Sequence, residues 1–357
     1  MAGIGIIGTG WGARVQAPTF REAGLSVVAI AGHNRERTRV IADDLGLRPH
    51  DDWRDVIASS DVDLVSIVTP PSEHRAMAIA ALEAGKHVLL EKPTAMNARE
   101  AEELVDAARR HPDRIALIDH ELRFLPSWRE ARARIAEEIG EIRYAEVRYS
   151  SPARGDRSRE WNWWSDASRG GGVWGAVGSH FVDALRYFGM EIEGVQAMMR
   201  TTIAQRPSGG DAMREVTSDD LTSVDLRLRG GAIAVMMFSA VAAGPDESSS
   251  LIVHGERGAM RFVGDEVALS KERAPFMTFA GGPMPERPGN SHGGAFGSGT
   301  LHLGHALRAA MDDGNREALA PAATFADGLM QQRVLDAARE SATRGGWVAV
   351  ERRRPAG

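Results

Sequence analysis

The sequence predicts an α/β fold in two parts. Residues 1–122 form a doubly wound parallel sheet, and residues 123–357 form an α+β domain with a large open, mainly antiparallel sheet. Three observations predict this. Before Arg123, short β-branched runs alternate with helical patterns, as in βαβ units whose strands are covered on both faces. After Arg123 the runs lengthen, alternate apolar with polar residues and are punctuated by turn signals. And 357 residues, 43% hydrophobic and 26% charged, suffice for two sizeable cores.

The elements follow in order. "GIGIIGTG" is a strand ending in glycines, and "RVQAPTFREAG" is the helix after it. "SVVAIAG" and "VDLVSIVTP" are apolar strands, with "ERTRVIADDLG" the helix between them. "EHRAMAIAALEAGK" is a helix stopped by Gly85, and "HVLLEKP" a fourth strand. "AREAEELVDAARRH" and "RIALID" complete another unit. Next come a helix, "PSWREARARIAEEIG", stopped by Gly140, and long alternating runs. "RGGA" and "GERG" supply hairpin turns. Residues 281–299, rich in Gly and Pro, read as a long loop. Two late helices, "LHLGHALRAAMDDG" and "FADGLMQQRVLDAARESATRG", precede a last strand, "WVAVER". One late helix is expected to pack back on the first domain.

Bulk properties exclude several classes of function. A net charge of −6 with no long basic run argues against nucleic acid. With no cysteine there are no disulfides and no thiolate chemistry. No apolar run reaches the ~18 residues of a membrane span, and an apolar strand begins almost at Met1, so a cytoplasmic protein is expected.

Gly8-Thr9-Gly10-Trp11-Gly12-Ala13 closes a strand and opens a helix, the context of the dinucleotide-binding fingerprint. One glycine allows the tight turn, the second lets backbone approach a pyrophosphate, and a small residue, here Ala13, allows close helix packing. The first domain is therefore expected to be a Rossmann domain. At the tip of the second strand an acid would bind the ribose 2′-hydroxyl of NAD. The sequence there is Gly32-His33-Asn34-Arg35, with no acid, and Arg35 suits a 2′-phosphate, so NADP is favoured and NAD stays open. Arg35 and Arg37 equally suit a solvated helix start. Glu91-Lys92-Pro93 ends the fourth strand, at the sheet edge where open α/β folds bind ligands. Lys92 there can hydrogen-bond a reacting hydroxyl or carbonyl, or be an ordinary strand-end lysine.

These glycines, with "VTPPSEH", "EKP", "GGG…GSHFVD" and "ATFADGLMQQRVLDAA", resemble in order and spacing the glucose–fructose oxidoreductase/inositol dehydrogenase (Gfo/Idh/MocA) family, over nearly the whole chain. The resemblance implies oxidation or reduction of a sugar or polyol with a nicotinamide cofactor lying between the two domains. It makes Lys92 the catalytic lysine, followed by a cis peptide at Pro93. It places Thr69, Pro70 and His74, with Glu91 and Lys92, around the cofactor, and turns His180 towards substrate. It also implies a homodimer or homotetramer, paired through the open sheet.

One departure concerns His180. Many family members carry an aspartate four residues before this histidine; here the position is Ala176. His180 then acts as acid or base oriented by Asp183 at i+3, or only binds substrate while Lys92 moves the proton, or the redox chemistry is lost. Asp183 equally suits a structural role. Arg123, in "HELRFLP", suits either substrate or a salt bridge between domains. Trp163 and Trp174, among Trp161 and Trp164, are candidates to stack on a sugar, although clustered tryptophans also make good core. Arg154, Arg157, Arg159 and Arg169 suit an anionic substrate group or plain solvent exposure. His302 and His305, with His292 upstream, lack an acidic partner at ligand spacing, so no metal is expected. The expected activity is hydride transfer at a CH–OH carbon. The rivals are a glycosidase using transient oxidation and a non-catalytic nicotinamide-binding sensor, against which Lys92 and Pro93 count.

Overall fold

The computed structural model describes residues 1–244, 248–281 and 294–351. They form two compact units. The first comprises 1–95, 99–129 and 294–329, and the second 96–98, 130–244, 248–281 and 330–351. The break expected after residue 122 thus falls later, and a C-terminal stretch belongs to the first unit.

The first unit is built on β1 (Gly3–Ile7), β2 (Ser26–Ala31), β3 (Arg48–His50), β4 (Leu64–Ile67), β5 (His87–Leu90) and β6 (Ala116–Ile118). All six are parallel, in the order β6-β5-β4-β1-β2-β3, and the short strand Ala323–Thr324 joins β6 antiparallel at one edge. The apolar runs are continuous because both sheet faces are covered: Ile4, Ile6, Ile30, Leu64, Ile67 and Leu89 are fully buried. Each such side chain contributes about 1.5–3 kcal/mol on leaving water. β3 was not anticipated; its three residues, one of them proline, carry no apolar run.

Register decides what emerges where. Ile7 pairs with both Ala31 and Ile67, Ile67 with Leu90, and Leu90 with Ile118. The segments beginning at Gly8, Gly32, Val68, Glu91 and Asp119 therefore leave the sheet side by side at its carboxyl edge. Strand order reverses between β1 and β4, the crevice in which such sheets bind ligands.

The second unit carries β7 (Ile142–Ser150), β8 (Ile192–Arg200), the hairpin β9 (Gln205–Pro207) and β10 (Met213–Glu215), then β11 (Leu221–Leu228), β12 (Ile233–Ser239), β13 (Ser248–Gly255), β14 (Gly258–Val263), β15 (Glu266–Lys271) and β16 (Met277–Ala280). Its large sheet runs β16-β15-β14-β13-β7-β12-β11-β8, ending on the two-residue strand Val348–Ala349, and only β7 and β12 pair in parallel. Gly230 and Gly231, both at positive φ, turn β11 into β12 as "RGGA" predicts. One face buries Val147, Val224, Leu226, Met236 and Phe238. On the other, Tyr144, Ile233, Val235, Met237 and Met198 stand exposed.

The loop expected over 281–299 is corrected in part. A helix spans Gly294–Asp312, its small residues packing closely, since a Cβ on Gly304 would lie 2.8 Å from that of Ala23. Residues 282–293 of that expectation lie outside the described residues. No helix among the described residues is long and apolar enough to cross a membrane.

Candidate active site

In the first unit the glycine turn meets each demand of a dinucleotide cradle. Gly8 has φ +132°, and a Cβ there would lie 2.2 Å from Val68 O. A Cβ on Gly12 would lie 2.7 Å from Ile6 Cγ2, so the helix packs on β1 only without one. At Gly10 the same construction meets nothing within 4 Å. Two glycines are thus required by the protein's own packing, and the third leaves backbone open to a ligand. The helix starts at Trp11, runs through a π-helical turn at Gly12–Gln16, and continues as α-helix over Ala17–Glu22. The wider turn spares the helix the lost N–H and the ring clash of Pro18. Ala13 is buried beneath this start, and Thr9 packs over Gly32, where a Cβ would meet its Cγ2 at 2.5 Å.

At the second strand's tip, His33 and Arg35 are exposed. The Asn34 side chain caps the next helix, accepting from Arg37 N at 2.9 Å. Arg35 Nε lies 2.8 Å from Asp51 Oδ2, so the guanidinium expected to read a phosphate already has a carboxylate partner.

His74 requires a correction. The ring is fully buried, with Nε2 2.9 Å from Thr69 O and Nδ1 3.1 Å from Pro93 O. It offers a ligand no surface; it lies between the segment after β4 and the segment after β5, its single N–H when neutral donating to one of the two carbonyls. Burial pushes its pKa down to about 4, with the backbone carbonyls opposing and the Lys92 charge reinforcing the fall. Thr69 and Pro70 themselves remain partly exposed at the sheet edge. The Lys92–Pro93 bond is cis.

Glu91 and Lys92 part company at the strand end. Lys92 is partly exposed, whereas Glu91 is buried in a network the sequence did not disclose. Ser66 Oγ donates to Gln16 Oε1 at 2.6 Å, and Gln16 Nε2 donates to Asp119 Oδ2 at 2.7 Å and to Glu91 Oε1 at 3.4 Å. Lys92 N donates to Glu91 Oε2 at 3.3 Å. Glu121, two residues beyond Asp119, is 3% exposed. Burial raises the pKa of all three carboxyls, and mutual repulsion pushes Asp119 and Glu121 well above the carboxylate range, against the opposing charge of Lys92. The available signal was positional: Asp119-His120-Glu121 ends β6, beside the strand that ends in Glu91.

Arg123 is likewise a strut. It is 6% exposed, with Nη2 3.7 Å from Asp327 Oδ1 and Nη1 donating to Ala322 O at 3.4 Å. These partners lie within the first unit, so the substrate contact is corrected to an internal bridge.

In the second unit, the three glycines before the His180 helix each have a reason. Gly170 and Gly172 have φ of +84° and +112°. A Cβ on Gly171 would lie 2.4 Å from Trp164 O, and one on Gly172 would lie 2.1 Å from Asp219 Oδ1. Asp219, which the sequence reading missed, pins this turn: its Oδ2 accepts from Trp174 N at 2.8 Å and from Thr222 Oγ1 at 2.7 Å. A π-helical turn at Trp174–Gly178, containing Ala176, leads into the helix Ser179–Tyr187. That helix holds His180 and Asp183, 7% and 4% exposed. Gln331 Nε2 secures its first turn by donating to Ser179 O at 2.6 Å.

Trp174 is corrected from substrate contact to core. It is fully buried, its Nε1 donates to Leu335 O, and Gly178 leaves room for its ring. Trp163 is half-buried, while Trp161 and Trp164 carry the guanidiniums of Arg214 and Arg154 over their rings. Burial, with Arg159 and Arg206 nearby, lowers Arg154 to about 9. Arg157 is exposed and Arg169 half-buried. Among the described residues no group of three potential ligands could hold a metal; His292 lies outside them.

Comparison with known proteins agrees with this geometry. Residues 2–118 match the model of an oxidoreductase family with an NAD-binding Rossmann fold, and residues 128–261 that of the Gfo/Idh/MocA C-terminal domain. A glucose-fructose oxidoreductase domain-containing protein 2 from Xenopus laevis is 31% identical over 98% of this chain and 94% of its own. An oxidoreductase domain protein from Kribbella flavida superposes with a TM-score of 0.86 at 26% identity, over 98% of this chain and 99% of that one. A levoglucosan dehydrogenase in complex with NADH and levoglucosan does so with a TM-score of 0.85 at 26% identity, over 98% and 100%. The chain belongs to the Gfo/Idh/MocA family of NAD-binding oxidoreductases.

Proposed function

We propose that the protein is a nicotinamide-dependent dehydrogenase or reductase acting on a CH–OH carbon of a sugar or polyol. The observation that carries this is one sheet edge bearing both an open glycine backbone at Gly10 and a strand-end lysine, Lys92. Gly8 to Ala13 would hold the pyrophosphate, with Thr69, Pro70 and Lys92 along the rest of the cofactor and His74 holding their segments in place. The nicotinamide, when bound, supplies the acceptor or donor of hydride. Lys92 directs its ammonium at the substrate oxygen, favouring the alkoxide character that develops as the carbinol is oxidised. His180 serves as the proton acceptor, with Asp183 on the same helix as its orienting carboxylate.

NADP remains our preferred cofactor, because the second strand's tip offers no acid and Arg35 can exchange Asp51 for a 2′-phosphate. NAD is the second reading, favoured by the NADH-bound levoglucosan dehydrogenase relative. We further propose that the open face bearing Ile233, Val235 and Met237 pairs two copies of the chain. Light scattering of the purified protein checks that.

The activity test is a panel of aldoses, ketoses, inositols and anhydrosugars with each cofactor, followed at the nicotinamide absorbance. Turnover lost in Lys92→Ala, with cofactor affinity kept, is the expected result. Turnover unchanged in that variant removes Lys92 from the chemistry.

A further inference from the structure

Resting on the dehydrogenase reading, we propose that Arg154 and Arg159, backed by Arg206, form a subsite for an anionic group, carboxylate or phosphate ester, carried by the sugar or polyol.

All three guanidiniums are gathered on one loop of the second unit. Arg206, on β9 and only 2% exposed, donates from Nη1 to Asp156 O at 2.8 Å and from Nη2 to Arg154 O. Arg159 Nη1 donates to Ala153 O at 2.7 Å. Arg154 Cζ lies 4.1 Å from the centre of the Trp164 ring, and its Nη1 lies 3.4 Å from Asn162 Oδ1. The loop itself is fastened at both ends: Arg154 N donates to Ala240 O at 2.8 Å, and Trp161 N to Pro207 O at 2.7 Å. Like charges are thus held together largely by carbonyls, which carry no net charge to offset them. The acids nearby are engaged by other donors. Asp156 Oδ1 accepts from Ser158 N at 2.8 Å and Oγ at 2.7 Å, and Asp220 accepts from Thr202 N and Ile203 N. Among the described residues none of the three guanidiniums has a carboxylate within ion-pairing distance. Burial, with Arg159 and Arg206 alongside, lowers Arg154 to about 9, a confinement that a bound anion would relieve. Arg154 and Arg159 each keep N–H donors beyond the one or two engaged among the described residues, in the planar array that suits a carboxylate or phosphate.

The cluster shares a wall with the helix of His180. Trp164, which carries Arg154, also abuts the glycine turn before that helix, since a Cβ on Gly171 would lie 2.4 Å from Trp164 O. Phe238, near the end of β12, packs against Trp174 of that turn and Phe181 beside His180, with ring centres 5.8 and 5.7 Å away. Two residues further on, Ala240 supplies the carbonyl that holds Arg154. The guanidiniums therefore read the far end of a substrate whose reacting carbon faces His180.

Calorimetric titration of the protein, with and without nicotinamide cofactor, tests this on matched pairs: D-gluconate against sorbitol, D-glucuronate against D-glucose, and glucose 6-phosphate against D-glucose. The expected result is an acidic member that binds about tenfold or more tightly than its neutral match, as one charge-assisted pair would give. Added salt should shrink that advantage. Arg154→Gln and Arg159→Gln should each remove most of it, Arg154→Lys should keep part, and Arg143→Gln, at the opposite end of β7, should leave it as in the parent. The larger advantage, in the carboxylate pairs or the phosphate pair, names the group that is read. Equal binding within every pair overturns the proposal, as does a preference that survives in both glutamine variants or binding of inorganic phosphate alone. Should one glutamine variant fail to fold, the other carries the test. The titration needs no turnover. An arginine-dependent preference in a protein that oxidises none of these compounds refutes the dehydrogenase reading and keeps the subsite; turnover of neutral polyols without an acid preference does the reverse.

Discussion

His74 sets how the first unit responds to acid. Its imidazole is fully buried between Thr69 O and Pro93 O, and its pKa is pushed from 6.5 down to about 4. Between those values the unfolded chain binds a proton that the folded chain refuses, so this stability is complete above 6.5, falls away progressively as pH drops from 6.5 to about 4, and loses no more below that. The gap, at about 1.4 kcal/mol per pH unit, is worth about 3 kcal/mol. His74→Gln removes the titration and keeps one donor for the two carbonyls. The neutral imidazole likewise donates to one carbonyl only, so at neutral pH the change should cost on the order of 1 kcal/mol, for repacking the buried site. On acidification the variant should then lose about 3 kcal/mol less than the parent. His87, half-buried and also lowered to about 4, titrates in the same window and is present in both proteins, so the difference isolates His74. Urea unfolding followed by far-ultraviolet circular dichroism at stepped pH provides the measurement. Parallel acid losses in the two proteins would show that His74 is not held neutral by burial.

The remaining predictions concern the cofactor tip, the proton path and the glycine turn. Arg35→Ala should weaken NADP more than NAD in fluorescence titration and leave the melting temperature nearly unchanged, because its pair with Asp51 is exposed; equal weakening of both cofactors discards the phosphate-reading role. Asp183→Asn should move the acidic limb of the pH–rate profile if it orients His180, and an unmoved profile returns Asp183 to a structural part. Gly172→Ala combines φ +112° with a Cβ 2.1 Å from Asp219 Oδ1, which should cost on the order of 2–4 kcal/mol. A melt like the parent's would mean that the turn relaxes freely.

What the sequence disclosed was local. The Gly8–Ala13 turn, the Glu91-Lys92-Pro93 strand end and the hairpin at Gly230-Gly231 each state their conformation within a few residues. What it concealed depended on partners far along the chain. Asp219 holds a turn 47 residues earlier in the numbering, and Asp119 meets Glu91 only through the pairing of β5 with β6. The polar residues misread as ligand contacts share one cause. His74 and Arg123 are of types that bind ligands, yet each is occupied by backbone carbonyls of its own unit, which no spacing reveals. Trp174 stood among clustered tryptophans that suit either a sugar or a core, and Gly178 decides for the core by leaving room for the buried indole.

At the sheet edge that carries the lysine, His74, Asp119 and Glu121 are pushed towards their uncharged forms by two opposite routes. His74 is denied a proton by burial, while Asp119 and Glu121 are made to keep one by burial and repulsion. The signs differ. The imidazole's contribution fails as pH falls, whereas the acids favour the folded state below their ordinary carboxylate range and turn against it as pH rises through their raised values. The two contributions therefore slope in opposite directions as pH changes, and Lys92 is the charge that couples them, deepening the fall in His74 and resisting the rise in the acids. Removing that charge should raise all of these pKa values together, so Lys92→Met should lose less stability through His74 on acidification and more through the acids as pH rises, which urea unfolding at stepped pH checks.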